Sequence, residues 1–394
     1  MTVTGEQVRA LRLRRHHLDR PLPSGALVEA AAGCGVQNSP PGAWETALWN
    51  RVAHVTLLQL EQALYGEKTL LQAWSIRGVP LVFPVKDAGV FLAPLCAQPG
   101  EEPWIYTRGI TGALDALGLG FDDLLPLVES ACACLEGETV LSKEALDRRL
   151  ASLVEPMLPP EVRPAWNAPS MYGQPDRQTV GGAAVSFLLR PCSFRGKVVF
   201  GAREGIYPTF TSPVRWLGRP LPDQPDGARE LVRRFLRCYG PAQVSDFQSW
   251  LGCSPKQAKR LWGGIAEELA PVELDGKRRW VLAEDLDLLT HGDEGERLLL
   301  LGPHDPYLDL RDRDLILPDK ARQRQVWKTV GNPGAVLRGG RVVGFWTVRT
   351  RGEKLDVSAT LFEPLSPAQR SRLEELVSSY AAFRESALRT YTVL

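Results

Sequence analysis

Apolar residues recur at helical spacing from the first turns of the chain. Between residues 4 and 15, Val8, Leu11 and Leu13 supply the apolar positions, Thr4 stands where a cap belongs, and the arginines are expected to face outward. A second helix is expected from about Leu22 to Ala32, and a third over ETALWNRVA. LLQLEQALYGEKTLLQAWSIRGVPLVF then passes from helical to strand character, with GVPLVF reading as a wing that Pro84 ends. Helices followed by a short strand pair form a winged-helix pattern.

The pattern recurs. LSKEALDRRLASLV (141–154) is helical, and Ser142 is followed three residues later by Ala145, so no capping box is expected. GAAVSFLLRPCSFRGKVVF reads as a helix or buried segment and then a strand at VVF, with a wing over Arg195 to Gly205. SPVRWLGRPLPDQPDG (212–227) reads as a linker. The third repeat is the clearest. ARELVRRFLRCYGP places Leu231, Val232, Phe235, Leu236 and Tyr239 on one helical side, and Gly240-Pro241 stops it. SDFQSWL is a short second helix. SPKQAKRLWGGI is a third, with Ser254 as cap, Pro255 at the first position and Gln257 completing a capping box. PVELDGKRRWVL follows as two strands turning at Asp275-Gly276.

After about residue 298 the texture becomes strand-rich, with Gly339-Gly340 as a hairpin turn. SPAQRSRLEELVSSYAAFRES then closes the chain as a helix with Leu373, Leu376, Val377 and Tyr380 as its buried stripe. The expected fold class is therefore α+β. Three tandem winged-helix domains occupy 1–100, 101–222 and 223–297, and an antiparallel β-rich region, a small sheet or partial barrel with a terminal helix, occupies 298–394.

Composition narrows the partners. Charged residues make up 24% of the 394, yet the net charge is only +1, so a nucleic-acid surface must come from local clustering. The seven cysteines are odd in number and scattered, which reads as reduced thiols in a cytoplasmic protein. Cys132 and Cys134 lack a second pair at zinc-finger spacing, so no metal site is expected. No run of about 18 apolar residues occurs, so no membrane span is expected. Walker, dinucleotide-binding, H-E-x-x-H and G-x-S-x-G motifs are absent, which lowers the weight of nucleotide and metal enzymes.

The cations gather in places. Lys256, Lys259 and Arg260 lie on the third repeat's last helix, and Lys277, Arg278 and Arg279 on its hairpin, a distribution that fits phosphate contacts. A solvated face balanced by Glu267 and Glu268 is the plainer reading. The run Arg9, Arg12, Arg14, Arg15, His16, His17 reads as a solvated face, with the two histidines pointing apart. Arg311, Asp312, Arg313 and Asp314 alternate in sign; on a strand both arginines would share a face, either in structural ion pairs or toward phosphate. Gln37, Asn38 and Ser39 stand together before two prolines and a helix. They could cap that helix or line a pocket where water is positioned.

Five segments in order carry a resemblance: GVQNS before a lone helix, TLLQAWSIRGVPLVF, RRFLRCYGPAQVSDFQSWLG, LLLLGPHDPYLDLRDRD and GAVLRGGRVVGFWTVR. Together they are similar to the AlkZ/YcaQ-like winged-helix DNA glycosylases, a bacterial family typified by an azinomycin self-resistance enzyme. The resemblance covers most of the chain, and its last three segments are the specific part. It implies three tandem winged helices plus a C-terminal β-rich region around a basic channel for duplex DNA. It implies removal of N7- or N3-alkylated purines by a monomer that needs no cofactor, because water is the nucleophile. The family signature is Gln-x-Gln or Gln-x-Asp; Gln37 matches the first position, Asn38 lies between, and Ser39 occupies the second. Asp305 of HDPY is a further candidate carboxylate. Arg77 and Gly78 match the start of the family's R-G-T-L-H, and Arg77 is expected near the lesion, whereas Val79, Pro80 and Leu81 replace the polar remainder. These departures keep a second expectation open, a non-catalytic DNA-binding architectural or regulatory protein.

Overall fold

Thr4 Oγ1 accepts a hydrogen bond from the Gln7 backbone amide while the Gln7 side-chain Oε1 accepts from the Thr4 backbone amide, and this reciprocal cap starts the helix Gly5–Arg15. A computed structural model describes residues 1–102, 105–172, 178–291, 295–309 and 311–394. Leu310, within the strand-rich stretch expected after 298, lies outside them. The chain divides into two units, each assembled from separated stretches: Met1–Ala63, Val232–Trp250 and Ile265–Leu394 in one, Leu64–Leu231 and Leu251–Gly264 in the other.

In the first unit the helix Gly5–Arg15 packs on a hairpin formed by Leu269–Leu274 and Lys277–Leu282. Val3, Val8 and Leu11 meet Val272, Leu274, Val281 and Leu289 in one buried cluster. The hairpin turns at Asp275 (φ 52°) and Gly276 (φ 71°), the two left-handed residues of a type I′ turn. Arg12 departs from the outward placement expected of it. It is 1% exposed, bonds the carbonyls of Tyr239 and Gly240, and forms a two-point ion pair with Asp312. His16 is buried too, so this run is only partly a solvated face. The second helix starts at Leu27 rather than Leu22, which instead bridges Val52 across a parallel pair.

The C-terminal region is an open five-stranded sheet, ordered Ala387–Val393, Lys354–Leu361, Arg341–Arg351, Gly334–Arg338, Leu298–Leu301. It is not closed, so the partial barrel is corrected to an open sheet. The helix Pro367–Phe383 does not end the chain: it is the crossover that delivers Ala387–Val393 parallel to Lys354–Leu361. Leu373, Val377 and Tyr380 are buried on that helix as expected, and Leu376 is half-buried. The Arg311–Asp314 stretch forms no strand; a 3-10 turn begins at Arg313.

In the second unit, Leu70–Trp74 and Pro80–Pro84 pair antiparallel. Trp74 stacks on Phe210 with ring centroids 5.2 Å apart, and Ser193 donates to the Trp74 carbonyl. That core also takes in the helices Phe121–Ala131, Lys143–Val154 and Val180–Phe194 through Val128, Leu150 and Leu188. Ser142 caps its helix without a reciprocal partner, as expected. Ser254 caps Pro255–Gly263, but Gln257 does not complete a capping box. Its buried amide instead donates to the carbonyls of Pro94, Leu95 and Cys96. Among the described residues no helix is long and apolar enough to cross a membrane.

Candidate active site

The segment bearing Gln37 is short and held at both ends. The helix Leu27–Ala32 ends at Gly33, the chain turns through Gly35 (φ 69°), and Val36–Gln37 runs extended. Asn38 is buried, and its Oδ1 accepts from the Gly42 amide at 2.8 Å, closing the turn that leads into the helix Ala43–Trp49. Gly42 itself is left-handed (φ 89°), a conformation that a side chain would strain. None of the three polar side chains caps the helix, whose N-cap is Gly42; Asn38 instead braces the turn before it.

Gln37 is half-buried. Its Nε2 donates to the Ser39 carbonyl at 3.0 Å. A carbonyl can only accept, so this bond fixes which way round the amide sits. Oε1 then faces away and takes no hydrogen bond among the described residues. Ser39 contributes its backbone oxygen to this arrangement, and its hydroxyl makes no bond among the described residues.

The flanking helix is tied to the sheet and to the helix Pro367–Phe383 by several contacts. Asn50 Nδ2 bonds the Leu300 carbonyl at 2.9 Å, tying the end of the helix Ala43–Trp49 to the five-stranded sheet. Trp49 packs on Tyr380 and Phe383, and Glu45 pairs with Arg384. Arg51 meets both oxygens of Asp305 at 2.8 Å, and Asp305 Oδ1 also accepts from the Tyr307 amide. Asp305 is 1% exposed and its two oxygens are engaged, so this carboxylate anchors the scaffold instead of standing open to a substrate.

The nine cations proposed for DNA fall into two groups. Arg260 is forked onto Glu101 at 2.6 and 2.9 Å, and Lys256 bonds the Gly100 carbonyl. Burial raises the Glu101 carboxyl, but the bonds from Arg260 and the Gln98 amide, together with the charges of Arg260 and Lys256, outweigh it and hold the group below its usual range. Arg279 reaches Asp246 and Asp312 at 3.4 and 3.8 Å; Arg311 bonds the Ser249 carbonyl; Arg313 lies over Trp327. Arg77 is half-buried in a 3-10 turn at φ 55°. A Cβ at Gly252 would come within 3.0 Å of the Arg77 Cγ, so this packing requires glycine there. Lys259 and Lys277 are exposed and make no ion pair among the described residues, while exposed Arg278 stacks over Trp280 at 4.6 Å.

One feature escaped the sequence reading. The turn Glu204–Tyr207 is closed by two backbone bonds, and Arg203 adds a third to the Ile206 carbonyl. It presents Ile206 and Tyr207 at 76% and 53% exposure. The adjacent Gly205 and Pro208 mark a turn, and large apolar residues inside a turn are the signal that could have found it.

A family described as DNA glycosylase AlkZ-like matches residues 30–383. The chain belongs to the AlkZ-like DNA glycosylase family. A relative from Streptomyces sahachiroi named "Interstrand DNA cross-link repair glycosylase" is 25% identical over 365 residues, covering 88% of this chain and 89% of its own. The solved structure of Streptomyces sahachiroi DNA glycosylase AlkZ matches with a TM-score of 0.76 at 22% identity, covering the whole of both chains. This AlkZ-like chain thus shares that protein's mixed helix-and-strand fold. The family match begins at residue 30, seven residues before Gln37, so the Gly33–Gly42 segment lies inside it.

Proposed function

We propose that this protein is a monofunctional DNA glycosylase that hydrolyses the N-glycosidic bond of N7- or N3-alkylated purines in duplex DNA, with Gln37 orienting the attacking water. The observation that carries this reading is the fixed Gln37 amide, whose Nε2 is held by the Ser39 carbonyl while Oε1 stays uncommitted. A water that donates one hydrogen to Oε1 turns a lone pair toward the sugar C1′. A carboxamide cannot take up the proton at neutral pH, so the leaving group must supply the drive. An alkylated purine does, because it is already cationic. The C1′–N9 bond breaks with its electron pair going to N9, and the purine leaves neutral. The water oxygen bonds C1′ and its proton passes to solvent. The Oε1 dipole also favours the positive charge that develops on the sugar.

The relative named for interstrand cross-link repair suggests bulky adducts as well as small ones. A cross-link through purine N7 presents the same cationic leaving group on each strand. In this reading the chain carries winged helices at 1–100, 101–222 and 223–297 with the strand-rich region at 298–394, an arrangement supported by the recurring order of helices and hairpins. Lys259, Lys277 and Arg278 supply phosphate contacts, and Ile206 with Tyr207 forms an apolar tip of the kind that enters between base steps. Of the remaining basic candidates, Arg260 and Arg279 are held by ion pairs within the fold, and Lys256 and Arg311 by backbone carbonyls.

A second reading is a DNA-binding protein without catalysis. The engagement of Gln37 and Asn38 with local backbone favours it, since a purely structural turn would use them the same way. Release of N7-methylguanine, or of a bulkier N7 adduct, from duplex DNA decides between the two. Release by wild type that falls on Gln37→Ala supports the glycosylase. Equal release by both removes Gln37 from the mechanism, and no release of any lesion leaves the second reading.

A further inference from the structure

Three side chains far apart in sequence converge in the first unit beside the segment that carries Gln37. His16 follows the helix Gly5–Arg15 as its C-cap, Cys34 follows Gly33, and Cys238 is the penultimate residue of the helix Gly227–Tyr239. All three are buried, and one ligand atom from each lies within 4.8 Å of the others. We propose that His16, Cys34 and Cys238 form a structural site for a soft divalent metal ion, zinc above all.

The donor set is specific. Two thiols and an imidazole inside a protein are a soft N/S set of the sort that zinc and cuprous ions take. A backbone bond sets the imidazole tautomer. His16 Nε2 sits 3.0 Å from the Cys238 carbonyl, which can only accept, so Nε2 carries the hydrogen and Nδ1 keeps its lone pair. Metal-bound histidines are commonly steered by such a bond from the other ring nitrogen. The ring is further fixed edge-on between Tyr239 and Tyr307, at centroid distances of 5.4 and 5.5 Å. Tyr239 Oη stands 3.5 Å from Cys34 Sγ, next to the cluster. A fourth zinc position would fall to that hydroxyl or to a water.

Charge separates the two metals. Binding releases the two thiol protons, leaving two thiolates and a neutral imidazole. A divalent ion makes that assembly neutral, which burial demands; a cuprous ion leaves one net negative charge buried. Arg51, a buried cation of the same unit, is already paired with Asp305. The present spacing suits a loaded site after a contraction of roughly 1 Å, given Zn–S and Zn–N bonds of about 2.3 and 2.0–2.1 Å. Such an ion would clip the chain three residues before Gln37 to two helices. None of its ligands takes part in the proposed hydrolysis, so the site stands or falls independently of the glycosylase reading.

The test is metal content of the full-length chain purified without chelator, followed by cobalt substitution. The expected result is one zinc per chain, and on cobalt loading the intense thiolate-to-cobalt charge-transfer bands of a two-sulfur site. Cys34→Ser and Cys238→Ser should each lose both signals, while Cys192→Ser, a buried thiol outside the cluster, keeps them. If the Cys34 or Cys238 variants fail to fold, cobalt titration of wild type against a competing chelator decides alone. Wild type that takes up neither zinc nor cobalt overturns the proposal. So does uptake that persists in folded Cys34 and Cys238 variants, or a Cys34–Cys238 disulfide in the protein purified under reducing conditions.

Discussion

The stretch around Gln37 and the stretch around Asp305 belong to one unit and use polar side chains in opposite ways. At Asp305 both oxygens are taken by Arg51 and a backbone amide, and the residue is sealed. At Gln37 one end of the amide is tied down and the other is left open. A group that holds a fold together has its hydrogen-bonding capacity used up. A group that acts on a substrate must be positioned yet keep one lone pair free. In the proposed function Asp305 serves stability and Gln37 the chemistry, and each assignment can be broken separately.

The largest effect is expected at Asp305. Asp305→Ala leaves Arg51 buried without its partner, which costs about 3–5 kcal/mol. Denaturant unfolding should show this as a lower midpoint, and activity per folded molecule should be little changed. A variant as stable as wild type but devoid of excision would reverse the assignment and return Asp305 to the chemistry.

Gln37→Ala should behave in the mirror image. Loss of a positioned hydrogen-bonding group costs about 2.7–4 kcal/mol of barrier, roughly 10²–10³ in single-turnover excision. The bond to Ser39 is partly solvated, so stability should fall by no more than about 1 kcal/mol. A large loss of stability with unchanged excision would make Gln37 a structural residue like Asp305.

Asn38 lies between these cases. Its Oδ1 closes the turn into the helix Ala43–Trp49, and Asn38→Ala should cost about 1 kcal/mol while Asn38→Asp, which keeps the accepting oxygen, largely restores it. A drop in excision with Asn38→Ala that Asn38→Asp rescues would show that this bond positions Gln37.

The buried Arg12–Asp312 pair gives a pH-dependent version of the Asp305 argument. Burial raises the Asp312 carboxyl, but Arg12 outweighs it through charge and hydrogen bonding, so the net shift is downward from 3.8. On acidification the unfolded chain therefore takes up this proton first. The pair's contribution is complete above the ordinary carboxylate value and is lost as pH falls through the lowered folded one. The stability gap between wild type and Asp312→Asn should narrow over that acid range. A gap that stays constant would mean Asp312 does not ionise differently in the folded state.

Local signals were legible in the sequence and non-local ones were not. The Thr4 cap, the helix start at Ser142 and the Asp275-Gly276 turn rest on residues within three positions of one another, and all formed as read. Gln257 occupies the correct position for a capping box, yet carbonyls some 160 residues away claim its amide. Arg12 reads as one more charge in a run because Asp312, 300 positions on, is invisible at the level of spacing. The strand Ala387–Val393 is mostly exposed and shows little alternation; it exists because the helix before it returns the chain to the Lys354–Leu361 edge. The same limit applied to the site. Gln37 was singled out by resemblance, Asn38 by its place before a helix, and the commitment of Asp305 to Arg51 by neither. Two scattered cysteines and a histidine gave no spacing signal at all.

The cations allow the subtlest test, because their effect is read in a slope. Each phosphate contact removed should lower the steepness of log K against log salt by about 0.9. Lys277→Ala with Arg278→Ala removes two exposed cations, so the slope should flatten by about 1.8 with folding intact. Arg260→Ala looks equivalent by position but is not. Arg260 is forked onto Glu101, whose side chain is 2% exposed, so its loss strands a buried carboxylate and should lower the unfolding midpoint while barely moving the slope. The difference between these two variants separates cations held for DNA from cations held by the fold. Equal slopes in all three proteins would place the duplex on some other surface of this chain.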